Sequence, residues 1–147
     1  MNPRPLDVDV VGRRLRMMTT LVDHLVSIGP VDTARLDREP ITRLAVERIL
    51  TQLVDLSVDI NSHIAGAVLG RAPERFRDSF DLVVQAGALS TGTAAALKGA
   101  VGLRNVLVHE YLQTDYSIVA GAVPQAVQAF SDYVGEIAGW TSRQGPT

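Results

Sequence analysis

A cation, an amide, an imidazole and a phenol fall within one eight-residue stretch, at Arg104, Asn105, His109 and Tyr111, with apolar residues between them. A guanidinium stays protonated at any ordinary pH and binds phosphate through paired N–H groups. An imidazole exchanges protons near neutrality. Asn105 stands four residues before His109, so on a helix the amide neighbours the imidazole and can orient it. These groups suit metal-free cleavage of RNA. A base takes the proton of a ribose 2′-hydroxyl, the oxygen attacks the adjacent phosphorus, and a cation stabilises the added charge. The same residues also suit a solvated helix face or interhelical hydrogen bonds, and their types and spacing leave both readings open.

Helical geometry sets a condition on the chemical reading. Arg104 and His109 are five residues apart, an offset of about 140° at roughly 100° per residue, so they do not share a face. Arg104 and Tyr111, seven apart, nearly do, with an offset of about 20°. One copy would therefore present a splayed site. Two copies meeting about a two-fold axis would bring two arginines and two histidines to one groove. A homodimer with its active groove across the interface is expected.

Other groups read more simply as structure. His24 and His63 stand alone in helical patterns and suit packing or surface positions; a metal site would need both to converge with His109, with no short-range ligand spacing to support it. Asp55 and Asp59, at i and i+4, form either a carboxylate pair or part of a polar helix face. Arg13, Arg14 and Arg16 make a basic cluster that reads as a solvated face, with RNA docking as the lesser reading. Gly87, Gly99 and Gly102 lack the preceding strand and the Gly-Lys-Ser/Thr of a phosphate loop.

Composition narrows the class. At 147 residues with 46% hydrophobic residues, the chain suits one domain over 1–147 and has enough apolar surface to offset chain entropy. It has no cysteine, which excludes disulfides, thiol catalysis and Cys-ligated metal. No apolar run is long enough to cross a bilayer, and acidic residues occupy the place of a signal peptide's apolar stretch. A cytoplasmic protein with no membrane and no DNA among its partners is expected. With fourteen basic against sixteen acidic residues the net charge is −2, so any phosphate contact must be local rather than spread over a basic surface. Lys98 is the sole lysine; the other basic residues are arginine, which favours planar, bidentate contacts.

Apolar residues recur at helical spacing along nearly the whole chain. The pattern predicts a first helix from Asp7 to Ile28, stopped by Gly29-Pro30, and a polar connection from Val31 to Glu39. A second helix follows from about Ile41 to Leu69, with Leu44, Ile49, Leu53, Leu56, Ile60 and Ile64 facing the core and Gly70 as its end. A third runs from Pro73 to about Ala86, burying Phe76, Phe80 and Val83. Ser90 or Thr91 caps a fourth, which continues past Arg104 and frays near Tyr111. Ser117 or Asp115 caps a last helix to about Trp140, which Pro124 should kink or split. The tail from Ser142 to Thr147 is predicted to fray. The fold class is all-α: an antiparallel bundle of four or five helices.

The stretch Arg104-Asn105-Val106-Leu107-Val108-His109-Glu110-Tyr111 resembles the Arg-x4-His-x-Tyr signature of the HepT-like toxins, a branch of the HEPN ribonuclease superfamily. Upstream, Glu47-Arg48-Ile49-Leu50 with Asp55, Asp59-Ile60 and His63-Ile64 is similar to the second helix of that family. Phe76 through Phe80, Leu82 and Gly87-Ala88-Leu89 resemble its third, and Asp115-Tyr116 also fits. The resemblance covers the chain from about Ala45 to Val119.

That resemblance implies a dimeric HEPN-like bundle and a metal-independent endoribonuclease toxin, with Arg104 and His109 as the catalytic pair and Asn105 as their polar helper. It implies a partner, a small MntA-like nucleotidyltransferase antitoxin, which transfers AMP from ATP to the signature tyrosine, here Tyr111. AMP is then the only cofactor-like group, as a covalent modification, and it would place a negative phosphodiester beside Arg104. Glu110 puts another negative charge near the RNA site. The alternative is a non-catalytic helical module that binds nucleotide or serves only as the substrate of its partner transferase.

Overall fold

The computed structural model describes residues 5–144, and all its regular elements are helical: α1 (Val8–Ile28), α2 (Thr33–Arg38), α3 (Pro40–Ile64), α4 (Phe76–Gln85), α5 (Thr91–His109) and α6 (Tyr116–Ser142). A π-helical turn, Ala65–Leu69, prolongs α3, and a 3₁₀ turn, Tyr111–Gln113, follows α5. Among the described residues there is no strand.

Local chemistry explains most of the boundaries. Asp7 caps α1 by accepting the Val10 N–H at 3.1 Å, Ser90 caps α5 through the Thr93 N–H, and Asp115 caps α6 through the Ser117 N–H. Pro40 opens α3, where its missing N–H costs nothing. Gly29, Gly70 and Gly87 follow their helical segments at positive φ (80°, 63° and 82°), which a side chain with a Cβ rarely adopts.

Three expectations need correction. The connection before Pro40 contains α2, whose single fully buried apolar residue, Leu36, is too weak a signal to read as periodicity. Asp32 caps it, and the Arg35 guanidinium donates back to the Ile28 carbonyl that the end of α1 leaves free and to the Pro30 carbonyl just beyond it. Leu44 and Phe76 are exposed rather than buried, because the core stripe of α3 instead includes Val46, Leu50, Val54 and Val58, and Phe76 lies at the open start of α4. Pro124 does not split α6: it lies on the exposed side, and small residues at Ala120, Gly121 and Ala122 fill the preceding turn. α6 ends at Ser142, and the Arg143 and Gln144 N–H groups bond the Trp140 and Thr141 carbonyls. The expectation of fraying at 145–147 lies outside the described residues.

α3 is the central helix and contacts all five of the others. Around it, α1 packs on α6, and α5 packs on both α4 and α6. The core is mostly aliphatic with four buried aromatics, Phe80, Phe130, Tyr133 and Trp140, of which Phe80 and Tyr133 meet edge to face at 6.3 Å between ring centroids. Beside them lies a buried polar knot. The Tyr133 hydroxyl lies 2.6 Å from Asn61 Oδ1 and 3.1 Å from the Ser57 carbonyl, and Asn61 Nδ2 donates to Ser79 Oγ at 3.0 Å. Burial pushes the Tyr133 phenol well above its ordinary value, so it remains a neutral donor. The knot pins α3, α4 and α6 to one another.

Candidate functional site

The last turns of α5 carry the polar residues singled out in the sequence. Helix-favouring alanines at 94–96 start it, and it ends at His109 because Glu110 leaves helical geometry (φ −129°, ψ 34°) while its N–H still bonds the Val106 carbonyl. Facing these turns is the start of α4, where Arg75 is extended and Phe76 and Arg77 open the helix.

Arg104 is the most constrained of the group. Its side chain is only 16% exposed, its Nε donates to Asp55 Oδ1 on α3 at 3.0 Å, and its guanidinium carbon lies 4.9 Å from the centre of the Phe76 ring. One terminal nitrogen reaches Asn105 Oδ1 at 3.4 Å. A carboxylate thus holds the guanidinium from one direction and an aromatic face from another. The remaining terminal nitrogen has no hydrogen-bond partner among the described residues.

Arg104, Asn105 and His109 line one open hollow of about 460 Å³, together with Val101 and the Arg75, Phe76 and Arg77 side chains of α4. The helical offset between Arg104 and His109 suggested that one copy would splay them apart. Both nevertheless line the same open hollow, whose far wall is the start of α4, and Asn105 lies between them in helical angle. No carboxylate lines this hollow. Asn105 and His109 are exposed.

Tyr111 is placed differently. The helix stops two residues earlier, so the near-alignment of Arg104 with Tyr111 on a continuing helix does not hold. Tyr111 begins the 3₁₀ turn, is 67% exposed and does not line the hollow. Glu110, also exposed, stays off its lining as well.

The remaining candidates separate. Asp55 engages Arg104, whereas Asp59 lines another hollow with Asp7, Arg14 and His63 beside the start of α1, so the two aspartates do not act as a pair. His63 Nε2 accepts the Asp7 N–H at 2.9 Å, a contact that ties α3 to the start of α1. His24, Arg13 and Arg16 are exposed on α1. Among the described residues no three His, Asp or Glu side chains are grouped as metal ligands. On its α6 side, α5 frames another hollow of about 420 Å³ whose lining, from Leu50 and Ala96 to Gly121 and Phe130, contains no acid, base or cation.

Sequence reasoning missed Arg75, Phe76 and Arg77 as site residues. The Arg-Phe-Arg triplet was visible, but Phe76 fitted the core pattern and nothing local shows which face α5 covers.

An all-helical bundle that carries the Arg-x4-His-x-Tyr signature at the end of α5 is what the resemblance to the HepT-like branch of the HEPN class implied. The ribonuclease HepT-like family model matches residues 18–137, and the chain belongs to that family. It is 31% identical over 85 residues to the mRNA nuclease HepT of Shewanella oneidensis, a match covering 58% of this chain and 64% of the relative. It is 28% identical over 129 residues to the tRNA nuclease HepT of Aphanizomenon flos-aquae, covering 87% of each. The fold is similar to that of a tri-AMPylated Shewanella oneidensis HEPN toxin solved in complex with an MNT antitoxin, with a TM-score of 0.80 and 23% identity over 89% of this chain and 98% of that one. It is equally similar to YutE, a cytosolic Bacillus subtilis protein of unknown function, with a TM-score of 0.81 and 21% identity over 97% and 96% of the two chains. Among the described residues no helix is long and apolar enough to cross a membrane.

Proposed function

We propose that this chain is the toxin of a toxin–antitoxin pair and acts as a metal-independent endoribonuclease through Arg104, Asn105 and His109. The observation that carries the reading is the clamped Arg104 guanidinium and the exposed His109 imidazole on one hollow. His109 takes the proton of a ribose 2′-hydroxyl. The oxygen attacks the neighbouring phosphorus, the bond to the 5′-oxygen breaks, and that oxygen leaves as a hydroxyl after taking up a proton. Arg104, already oriented, stabilises the charge on the non-bridging oxygens without reorganising. Asn105 orients the imidazole.

In this reading two copies form a homodimer, and the second copy's His109 supplies the proton to the leaving oxygen, so each site is completed across the interface. A nucleotidyltransferase antitoxin of the MntA type silences the toxin by adding AMP to Tyr111. The exposure of Tyr111, two residues past His109, supports this: the phenol is open to a second enzyme, and an attached phosphodiester would lie close to the RNA path. The relatives named as HepT nucleases and the AMPylated HEPN toxin with its antitoxin support the same assignment.

The test is cleavage of RNA by the purified chain in the presence of a chelator. The expected products carry a 2′,3′-cyclic phosphate and a 5′-hydroxyl, and His109→Ala and Arg104→Ala abolish both cleavage and growth arrest while the melting temperature holds. A requirement for added magnesium, or cleavage that survives both substitutions, overturns the assignment. A folded chain that accepts AMP but never cuts RNA would instead be the non-catalytic module.

A further inference from the structure

Building on the ribonuclease reading of this hollow, we propose that Arg75 and Arg77 form a second phosphate subsite, which holds a phosphate next to the one Arg104 grips on the same RNA strand. Arg104 has little capacity to spare. Its Nε is committed to Asp55, one terminal nitrogen to Asn105, and one ring face of Phe76 lies against it. Those constraints suit it to one phosphate. A strand delivers its phosphates in series, and the next one falls to whatever cations flank the hollow.

Arg75 and Arg77 are those cations, both exposed and both on its wall. Arg77 has no carboxylate within ion-pair distance among the described residues. Arg75 uses only its Nε, toward Asp78 at 3.3 Å, and both its terminal nitrogens are without hydrogen-bond partners among the described residues. Exposed guanidinium forks of this kind bind phosphate bidentately at small desolvation cost. Charge gives the cluster its weight. In a chain of net charge −2, three arginines line one hollow; Asp55 and Asp78 engage two of them through Nε alone, and Arg77 is left with its whole charge to offer where the acid–base residue lies. The competing account is a solvated helix start, in which Arg75 and Arg77 contact only water and Asp78.

Salt-dependent binding separates the two. The probe is a fluorescent 2′-O-methyl oligoribonucleotide, which lacks the attacking hydroxyl and cannot be cut. Its affinity is measured over a salt series for the wild-type chain, Arg77→Gln and the Arg75→Gln/Arg77→Gln double variant. Arg13→Gln/Arg16→Gln on α1 serves as the charge-matched control, with melting temperatures confirming the fold. Arg77→Gln is expected to weaken binding about five- to tenfold at low salt and to flatten the slope of log K against log salt by about 0.7, the value of one single-strand phosphate contact. The double variant should lose more, and the α1 control should lose less than Arg77→Gln.

Equal losses in the α1 control, a wild-type slope in the double variant, or no binding by the wild-type chain overturn the subsite. Wild-type cleavage of ordinary RNA, assayed alongside, keeps the two proposals apart. If the wild type cleaves while the double variant binds with the wild-type slope, the subsite falls and the ribonuclease stands. If binding depends on Arg77 but nothing is cleaved, the ribonuclease falls and the subsite stands.

Discussion

Asp55 and Arg104, forty-nine residues apart in sequence, meet through a 3.0 Å hydrogen bond between carboxylate Oδ1 and guanidinium Nε. The pair ties α3 to α5 where the polar hollow begins, and it fixes which way the remaining guanidinium nitrogens point. Asp55 is 41% exposed, so as an ion pair it contributes at most about 1 kcal/mol to stability. Its value lies in orientation.

Asp55→Ala should therefore lower kcat for RNA cleavage by on the order of 10- to 100-fold, the loss expected when a charged group loses its alignment. KM should change less, and the unfolding midpoint hardly at all. Asp55→Asn keeps an acceptor for Nε and should recover part of the rate. Steady-state kinetics on both variants checks this, and equal kcat in Asp55→Ala and the wild type would remove Asp55 from the site.

Tyr111→Phe removes the hydroxyl that would receive AMP and leaves the hollow untouched, because Tyr111 is not on its lining. Co-expressed with its transferase, this variant should gain no mass of AMP and should remain toxic. Intact-mass spectrometry reads the first outcome and colony counts the second. Modification at Tyr116 or Tyr133 is not expected: the first lies half-buried beneath Arg43 at 5.2 Å, and the second is fully buried.

Tyr133→Phe tests the polar knot. Losing the phenol leaves Asn61 Oδ1 buried without its 2.6 Å partner, a cost of about 1–3 kcal/mol that urea unfolding would show as a lower midpoint at unchanged slope. The accompanying change at the site should be small, provided α4 keeps its contacts through Phe80.

Two glutamates should respond to pH with opposite signs. For Glu136, burial raises the carboxyl, but hydrogen bonds from Thr93 and Ser90 outweigh it, and the net shift is downward. A depressed folded value means its stabilisation is complete above the unfolded value and lost as pH falls through the folded one. Burial raises Glu47, with Arg43 partly opposing, so its ionised form costs stability once pH has risen through the folded value, and that cost vanishes below the unfolded one. Urea unfolding near pH ~7 should find Glu136→Gln less stable than the wild type and Glu47→Gln equal or more stable. Both differences should shrink by pH ~3.5, below the ordinary carboxylate range.

Helix boundaries were readable from the sequence because caps and stops are local. Asp7, Ser90 and Asp115 satisfy N–H groups two or three residues away, and Gly29, Gly70 and Gly87 adopt a backbone state that needs no distant partner. The polar set Arg104, Asn105 and His109 was readable too, since an unusual grouping of chemistries within one helical stretch is itself a signal. The short α2 was not, because one buried leucine makes no period.

Packing alone decided the rest. A helical wheel places Arg104 and His109 about 140° apart, and no local rule says that the start of α4 will share one open hollow with both. Nor does any local rule choose Asp55 over Asp59 as the partner of Arg104, or set Phe76 beneath a guanidinium instead of in the core. Those outcomes follow from contacts between helices far apart in sequence, of which the knot joining α3, α4 and α6 at Asn61, Ser79 and Tyr133 is one. Such contacts join residues 18 and 72 positions apart, where only the folded chain, and no property of the intervening sequence, sets the distance.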